Sequence, residues 1–421
     1  MILSNVSVPL LGMVDTGVVG HLESAAYLGG VAIGSTIFGF LYTGMNFLRM
    51  GTTGIAAQRF GAGDNDGLRV SLGQAVIVAL LIAFVLIALQ RPIGSIALRL
   101  IGGEFDVQAH ALEYFSIRIW SAPGTLVNYV LIGWFLGLQN ARVPLLIFLT
   151  INFTNIILDL VFVLVLGMKV DGVALASVIA EYSGMLVALI FVARALRDRA
   201  GHWPLARLFR IRAYAAYFSV NGNLFIRTMA LMFTFAFVTA QGARLGGLVL
   251  AANAILMNIQ LLTSMALDGF AHAAEALVGK AIGQKNRNAL QYSVRLSLKW
   301  SLIFAVGFCL LYLLFGPLLI RTLTDLDDVR DTAMRYLPWL VLSPLVSVWS
   351  FLYDGVYVGA TRAREMRNIM LFSSLAVFLP AWFLLQGYGN HGLWLAFTLF
   401  MASRGLGMHL GYRRHVLPAV A

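Results

Sequence analysis

The chain repeatedly runs for the thickness of a bilayer without a charge, and this constrains its fold more than any other feature. Residues 70–90 contain no ionisable side chain, and residues 143–166 contain only Asp159. A helix needs about 20 mostly apolar residues to cross the hydrocarbon core. A membrane β-barrel would show short alternating segments instead. Charged residues make up 12% of the chain, against about a quarter in a soluble domain. The expectation is an all-α polytopic membrane protein.

Twelve spans are expected, at about 1–20, 27–57, 70–98, 108–139, 143–167, 172–196, 213–241, 248–279, 289–320, 332–360, 366–387 and 390–412. Pro9 removes a backbone donor within the first and kinks it. The first apolar run starts at Met1 without a basic leader and contains Asp15, so no cleavable signal peptide is expected.

Alternate connections differ in charge. One set carries Arg59 and Arg69, Arg142, Arg197 to Arg212, Lys280 to Arg287, Arg362 to Arg367, and Arg413 with Arg414. The other carries Glu23, Glu104, Asp106, Asp171, Asp325, Asp327 and Asp328. The positive-inside rule places the basic set, and with it both termini, in the cytoplasm. The net charge of +11 thus sits where it meets a negatively charged membrane face, which argues against a nucleic-acid partner. The single cysteine, Cys309, rules out an intramolecular disulfide. The longest polar connection divides the chain into an N-terminal lobe (1–196), a cytoplasmic linker (197–212) and a C-terminal lobe (213–421).

The second lobe repeats the first. At a shift of 222 residues Leu28 meets Leu250, Gly61 meets Gly283, Ser71 meets Ser293, Gly133 meets Gly355, Gly137 meets Gly359, and Ala141–Arg142 meets Ala363–Arg364. Near the end the shift is 220, and Gly172, Leu175, Ala176 and Ser183 meet Gly392, Leu395, Ala396 and Ser403. Each lobe has an even number of spans, so the repeat is parallel rather than inverted. Secondary transporters are commonly built this way, with substrate bound between the halves.

A charge at the middle of a span costs about 2.5–3.5 kcal/mol on insertion scales and calls for a reason. The acids in question are Asp15, Asp159, Glu181, Asp268, Glu275 and Asp354. Asp15 follows Pro9 toward the outer end of the first span, where it is either an interfacial acid or a functional one. Asn155 and Asp159 are four apart and share a helix face. They form either an ion site or a polar pair joining helices. Span orientation brings Tyr114 and Ser177 to the same outer level, as substrate-binding or simply packing residues, with Glu181 a turn deeper. Asp268, Glu275 and Asp354 fall on two inward-running spans of the second lobe, as a second cation site or as gate residues. There is no Walker loop, no metal-ligand spacing and no nucleophile elbow. An ion gradient is therefore the expected energy source, with no enzymatic activity, cofactor or bound metal. A carboxyl in low dielectric binds and releases protons near neutrality, and Na+ fits the same carboxyls.

Several stretches together resemble one family: Val8 to Thr16, Ala57 to Asp64, Asn155 to Asp159, Glu275 to Gly283 and Asp354 to Arg362. Along nearly its whole length the chain resembles the multidrug and toxic compound extrusion (MATE) transporters, and within them the DNA-damage-inducible protein F subgroup. The resemblance implies two six-helix lobes around a V-shaped cleft. It implies antiport, a cation entering as a small organic compound leaves, in the bacterial cytoplasmic membrane. It makes Asp15 the main proton-linked carboxyl, sharing its site with Asn155 and Asp159. Asp354 matches a cation-site candidate of some subgroups, and Tyr114 and Ser177 fall near further site positions. Membrane lipids are the only other expected partners, and a monomer is expected. A lipid-linked oligosaccharide flippase of the same superfamily is the alternative, which Arg49, Arg118 and Arg227 within spans keep open. The acids do not obey the repeat: Asp15 aligns with Phe237, Asp159 with Ala381, Glu181 with Met401, Asp354 with Ile132 and Glu275 with Thr53. That asymmetry puts the expected coupling site inside the N-terminal lobe.

Overall fold

The computed structural model describes residues 24–420; the expected first span, with Pro9 and Asp15, lies outside them. Every regular element among the described residues is helical. Among the described residues, ten helical stretches are long and apolar enough to cross a membrane. The last of these, Ala363–Val420, reverses at Gly389 (φ 57°) and supplies two spans. Eleven of the twelve expected spans thus lie among the described residues.

The distribution of side chains is inside-out relative to a soluble bundle. Phe84, Leu314 and Leu384 point outward from spans, whereas Asn155, Asp159, Ser301, Ser350 and Arg404 are buried. Outward-facing apolar surface on this scale is what a lipid solvent accepts and water does not.

The chain divides into two compact units between Tyr217 and Phe218. The N-terminal unit contains α1 (Ala25–Met45) continuing into α2 (Phe47–Gly61), then α3 (Asn65–Ala88), α4 (Gln90–Ile101) and α5 (Phe105–Arg118). It goes on through α6 (Ala122–Gly137), α7 (Arg142–Asp159), α8 (Val170–Arg197) and the short α9 (Leu205–Leu208). The division falls inside α10 (Ile211–Arg244). The reason is that residues 197–208 are held to the N-terminal unit. Buried Arg69 donates to the carbonyls of Leu196 (2.9 Å) and Arg199 (2.7 Å), and the His202 amide donates to Asp66 (2.8 Å). Arg69 thereby satisfies carbonyls that the end of α8 leaves without partners. The C-terminal unit continues with α11 (Gly247–Gly283), α12 (Arg287–Leu323), α13 (Asp327–Gly359), α14 (Ala363–Leu371), α15 (Leu379–Leu385) and α16 (Gly389–His415).

The repeat read from sequence reappears as geometry. A Cβ on Gly133 would sit 2.4 Å from the Arg49 carbonyl, and one on Gly355 would sit 2.1 Å from that of Ala271. Gly137 approaches the Thr53 carbonyl and the Ala57 amide, and Gly359 approaches those of Glu275 and Gly279. Every pair is offset by the same 222 residues. The α2–α6 crossing and the α11–α13 crossing are one device used twice, with backbones pressed together where only glycine fits. The turns repeat as well. Gly63 and Lys285 both have positive φ (68° and 52°), as do Gln139 and Thr361 (60° and 54°). Asp64 accepts the Gly67 amide, and Asn286 accepts that of Ala289, capping α3 and α12 in the same way.

Several spans are not uniform α-helix. The fourth tightens to a 3₁₀ turn at Ile119–Ser121 just before Pro123, which has no amide to donate. The fifth widens to a π turn over Leu160–Val165, and the eleventh over Phe372–Phe378. Pro338 and Pro344 interrupt the hydrogen-bond ladder of α13, and Pro317 that of α12.

Candidate functional site

In the N-terminal unit, polar side chains gather at the end of the bundle away from Arg59, Arg142 and Arg197. Asp159 is fully buried and Asn155 nearly so. They occupy the last turn and a half of α7, where the helix passes into the π turn. A π turn rotates the residues around it out of α register, and such turns recur at functional sites. Asn155 donates to the hydroxyl of Ser177 on α8 at 3.4 Å, the long end of the hydrogen-bond range. Asn155, Asp159 and Ser177 are therefore together, and Asp15 lies outside the described residues.

Tyr114 and Glu181 belong to a neighbouring group organised by Arg118. Tyr114 is fully buried on α5. Its hydroxyl is 3.2 Å from that of Ser35 and accepts from Arg118. The Arg118 guanidinium lies 5.3 Å from the Phe38 and Tyr114 ring centroids, a cation–π arrangement. Glu181 is within electrostatic reach of the same guanidinium. Asn128 fixes it by donating to its side-chain Oε2 and its carbonyl oxygen, both at 2.9 Å. Gly124 allows this approach, because a Cβ there would meet the Glu181 backbone at 3.3 Å. Tyr42 and Ser121 pair their hydroxyls at 2.8 Å nearby. Two acids, Asp159 and Glu181, and the Arg118 guanidinium thus lie within this part of the unit.

The C-terminal unit has a different centre. Asp354 on α13 accepts, on one oxygen, from Arg227 on α10 and from Arg404 on α16, the latter at 2.9 Å. All three are buried. Asp268 on α11 is within electrostatic reach of Arg404. Two acids thus stand against two bases. Glu275, also buried, lies two turns further along α11 at the glycine crossing, where its carbonyl meets Gly359.

Arg404, Asn128 and Ser35 were not among the residues expected from sequence. Arg404 carries the same signal as the acids, a charge in the middle of an apolar span. Asn128 and Ser35 carry no such signal, because amides and hydroxyls are common in helix packing.

A helical membrane protein made of two repeated lobes, with buried ionisable groups inside each, has the architecture of a secondary transporter. The chain belongs to the MatE family, whose profile matches residues 1–161 and 224–383. It is 42% identical over 415 residues to DNA damage-inducible protein F of Escherichia coli, covering 99% of this chain and 90% of that protein. It is 26% identical to the probable multidrug resistance protein NorM of Thermotoga maritima, over 92% of this chain and 84% of that one. Its fold is similar to the crystal structure of the Vibrio cholerae MATE transporter VcmN in the bent form, with a TM-score of 0.87, 20% identity and coverage of 100% and 95%.

Proposed function

We propose that this chain is a proton-driven antiporter that exports small organic compounds, cationic or amphiphilic, by alternating access of its two lobes. The buried Asn155, Asp159 and Ser177 beside the Arg118 group carry the reading. Asp15, Asp159 and Asn155 couple the proton, and Tyr114, Ser177 and Glu181 line or support the substrate path. Glu275, Asp354 and Asp268 hold the C-terminal lobe's gate. Protonation of the N-terminal carboxyls weakens their hold on a cationic substrate, and deprotonation toward the cytoplasm resets the cycle. Exchange requires proton and substrate to disfavour each other, a coupling free energy between sites. No cofactor takes part, and the monomer works in the cytoplasmic membrane with both termini inside. The chain's similarity to a probable multidrug resistance protein supports the substrate class. Against the flippase reading, Arg227 is paired with Asp354 and Arg118 has Glu181 within electrostatic reach, while Arg49 donates to the side-chain amide oxygen of Asn46.

The test is efflux of a cationic dye from proteoliposomes under an imposed pH gradient. Asp15→Asn and Asp159→Asn are each expected to abolish proton-driven efflux while leaving protein yield intact. Full efflux in either variant removes that residue from the coupling role. A sodium gradient that drives wild-type efflux when the proton gradient is absent overturns the choice of ion.

A further inference from the structure

On the flank of the C-terminal unit, α12, α13 and α16 enclose a cavity of about 510 Å³ that the transport reading does not use. Arg295, His409 and Arg413 line it, and no acidic side chain does so among the described residues. His409 is held in place: the Tyr353 hydroxyl lies 2.7 Å from its Nδ1, and the Trp349 ring packs edge-on at 5.5 Å. Among the described residues the buried Tyr412 hydroxyl has no hydrogen-bond partner, a costly state for a polar group. Gln291 adds an amide to the lining, and the rest of the wall is apolar, with Leu298 and Leu410 continuing into the exposed face of α12.

The position of the cavity identifies its occupant. Arg413 lies in the last turn of α16, and Arg295 is eight residues into α12, about 12 Å along the axis at 1.5 Å per residue. Both are at the end of the unit that carries Lys285, Arg287 and Arg414, opposite the end with Asp325, Asp327 and Asp328. By charge this is the cytoplasmic leaflet, where anionic lipids concentrate and basic pockets between helices take their headgroups. We infer that this cavity binds the phosphate of an anionic phospholipid, with Arg295 and Arg413 on the phosphate oxygens, Tyr412 donating to one of them, and an acyl chain along Leu298 and Leu410. A zwitterionic lipid offers the same phosphate, but its cationic headgroup meets the two guanidinium groups of Arg295 and Arg413. Free phosphate offers the charge without the chain. The site does not depend on which ion drives transport.

The test is native mass spectrometry of the full chain in detergent, supplied with equal phosphatidylglycerol and phosphatidylcholine. Wild-type protein is expected to retain phosphatidylglycerol preferentially. Arg295→Gln with Arg413→Gln is expected to cut that retention by about tenfold or more, from about 1 kcal/mol per base at a membrane surface and 1.4 kcal/mol per decade. Arg91→Gln with Arg321→Gln, exposed bases elsewhere, should leave it unchanged. Tyr412→Phe, which removes only the hydroxyl, should lower retention without changing the thermal midpoint in lipid-free detergent. It therefore keeps the test open if the double variant misfolds. Equal retention of both lipids, or phosphatidylglycerol retention that survives loss of both arginines, overturns the site. Displacement of phosphatidylglycerol by millimolar inorganic phosphate overturns the lipid as its ligand.

Discussion

Asp354 receives two guanidinium groups on a single carboxylate oxygen, from helices 127 and 50 residues away in sequence. Such a cluster is held together by its own completeness, because the cost of burying each charge is repaid only by its partners. Asp354→Asn keeps the shape and leaves Arg227 and Arg404 facing an amide. Removing one partner of a buried pair typically costs about 3–5 kcal/mol. The variant is therefore expected to lower the thermal midpoint in detergent sharply. Adding Arg404→Met, which removes one stranded charge, should recover part of the loss, whereas strictly additive effects would show that the two residues are not coupled. The acid and both bases are visible in the sequence as charges interrupting apolar runs. Their pairing is not, because it depends on how three helices are rotated about their axes. The same holds for Asn128, whose amide reaches Glu181 across 53 residues.

The crossings of α2 with α6 and of α11 with α13 depend on glycine at the point of closest approach. Gly355→Ala places a methyl where the Ala271 carbonyl stands, and neither backbone can yield by a side-chain rotation. Overpacking of this kind costs typically 1–3 kcal/mol, and here the helices must also separate. The expected outcome is a lower thermal midpoint for Gly355→Ala and for its repeat counterpart Gly133→Ala. Gly307→Ala on α12, where a Cβ meets nothing within 4 Å, should be neutral or slightly stabilising, and equal effects at all three would contradict the close-approach account. The reverse substitution belongs at the turn, where Lys285 occupies the left-handed region that Gly63 fills in the first lobe. Lys285→Gly relieves about 1 kcal/mol of backbone strain, partly offset by the entropy glycine adds to the unfolded chain. These glycine pairs are legible in the sequence as matches at a constant offset. The π turns after Asp159 and at Phe372 are not, because no residue type demands them. They arise where packing shifts one turn of an otherwise ordinary apolar helix.

At the level of the whole molecule, the number of spans follows from hydropathy, and the repeat from matched turns. The side of the membrane each turn faces rests on charge alone. The parallel repeat sharpens this into a single experiment, because equivalent turns must lie on the same side, whereas an inverted repeat would put them on opposite sides. Cys309 is the sole cysteine, so Cys309→Ser gives a clean background in one step. Glu104 and Asp327 stand at equivalent acidic turns of the two lobes, and Asn140 and Arg364 at equivalent basic ones, all exposed. Single cysteines at Glu104 and Asp327 are expected to react with a membrane-impermeant maleimide in intact cells. Those at Asn140 and Arg364 should react only after permeabilisation. Labelling of Glu104→Cys without Asp327→Cys would break the parallel repeat while leaving the helix count untouched. Labelling of the two basic turns instead of the acidic ones would keep the repeat and reverse the protein in the membrane. It would also move the carboxyls at the Asp159 end of the first lobe to the cytoplasmic side, and the direction of proton coupling would have to reverse with them.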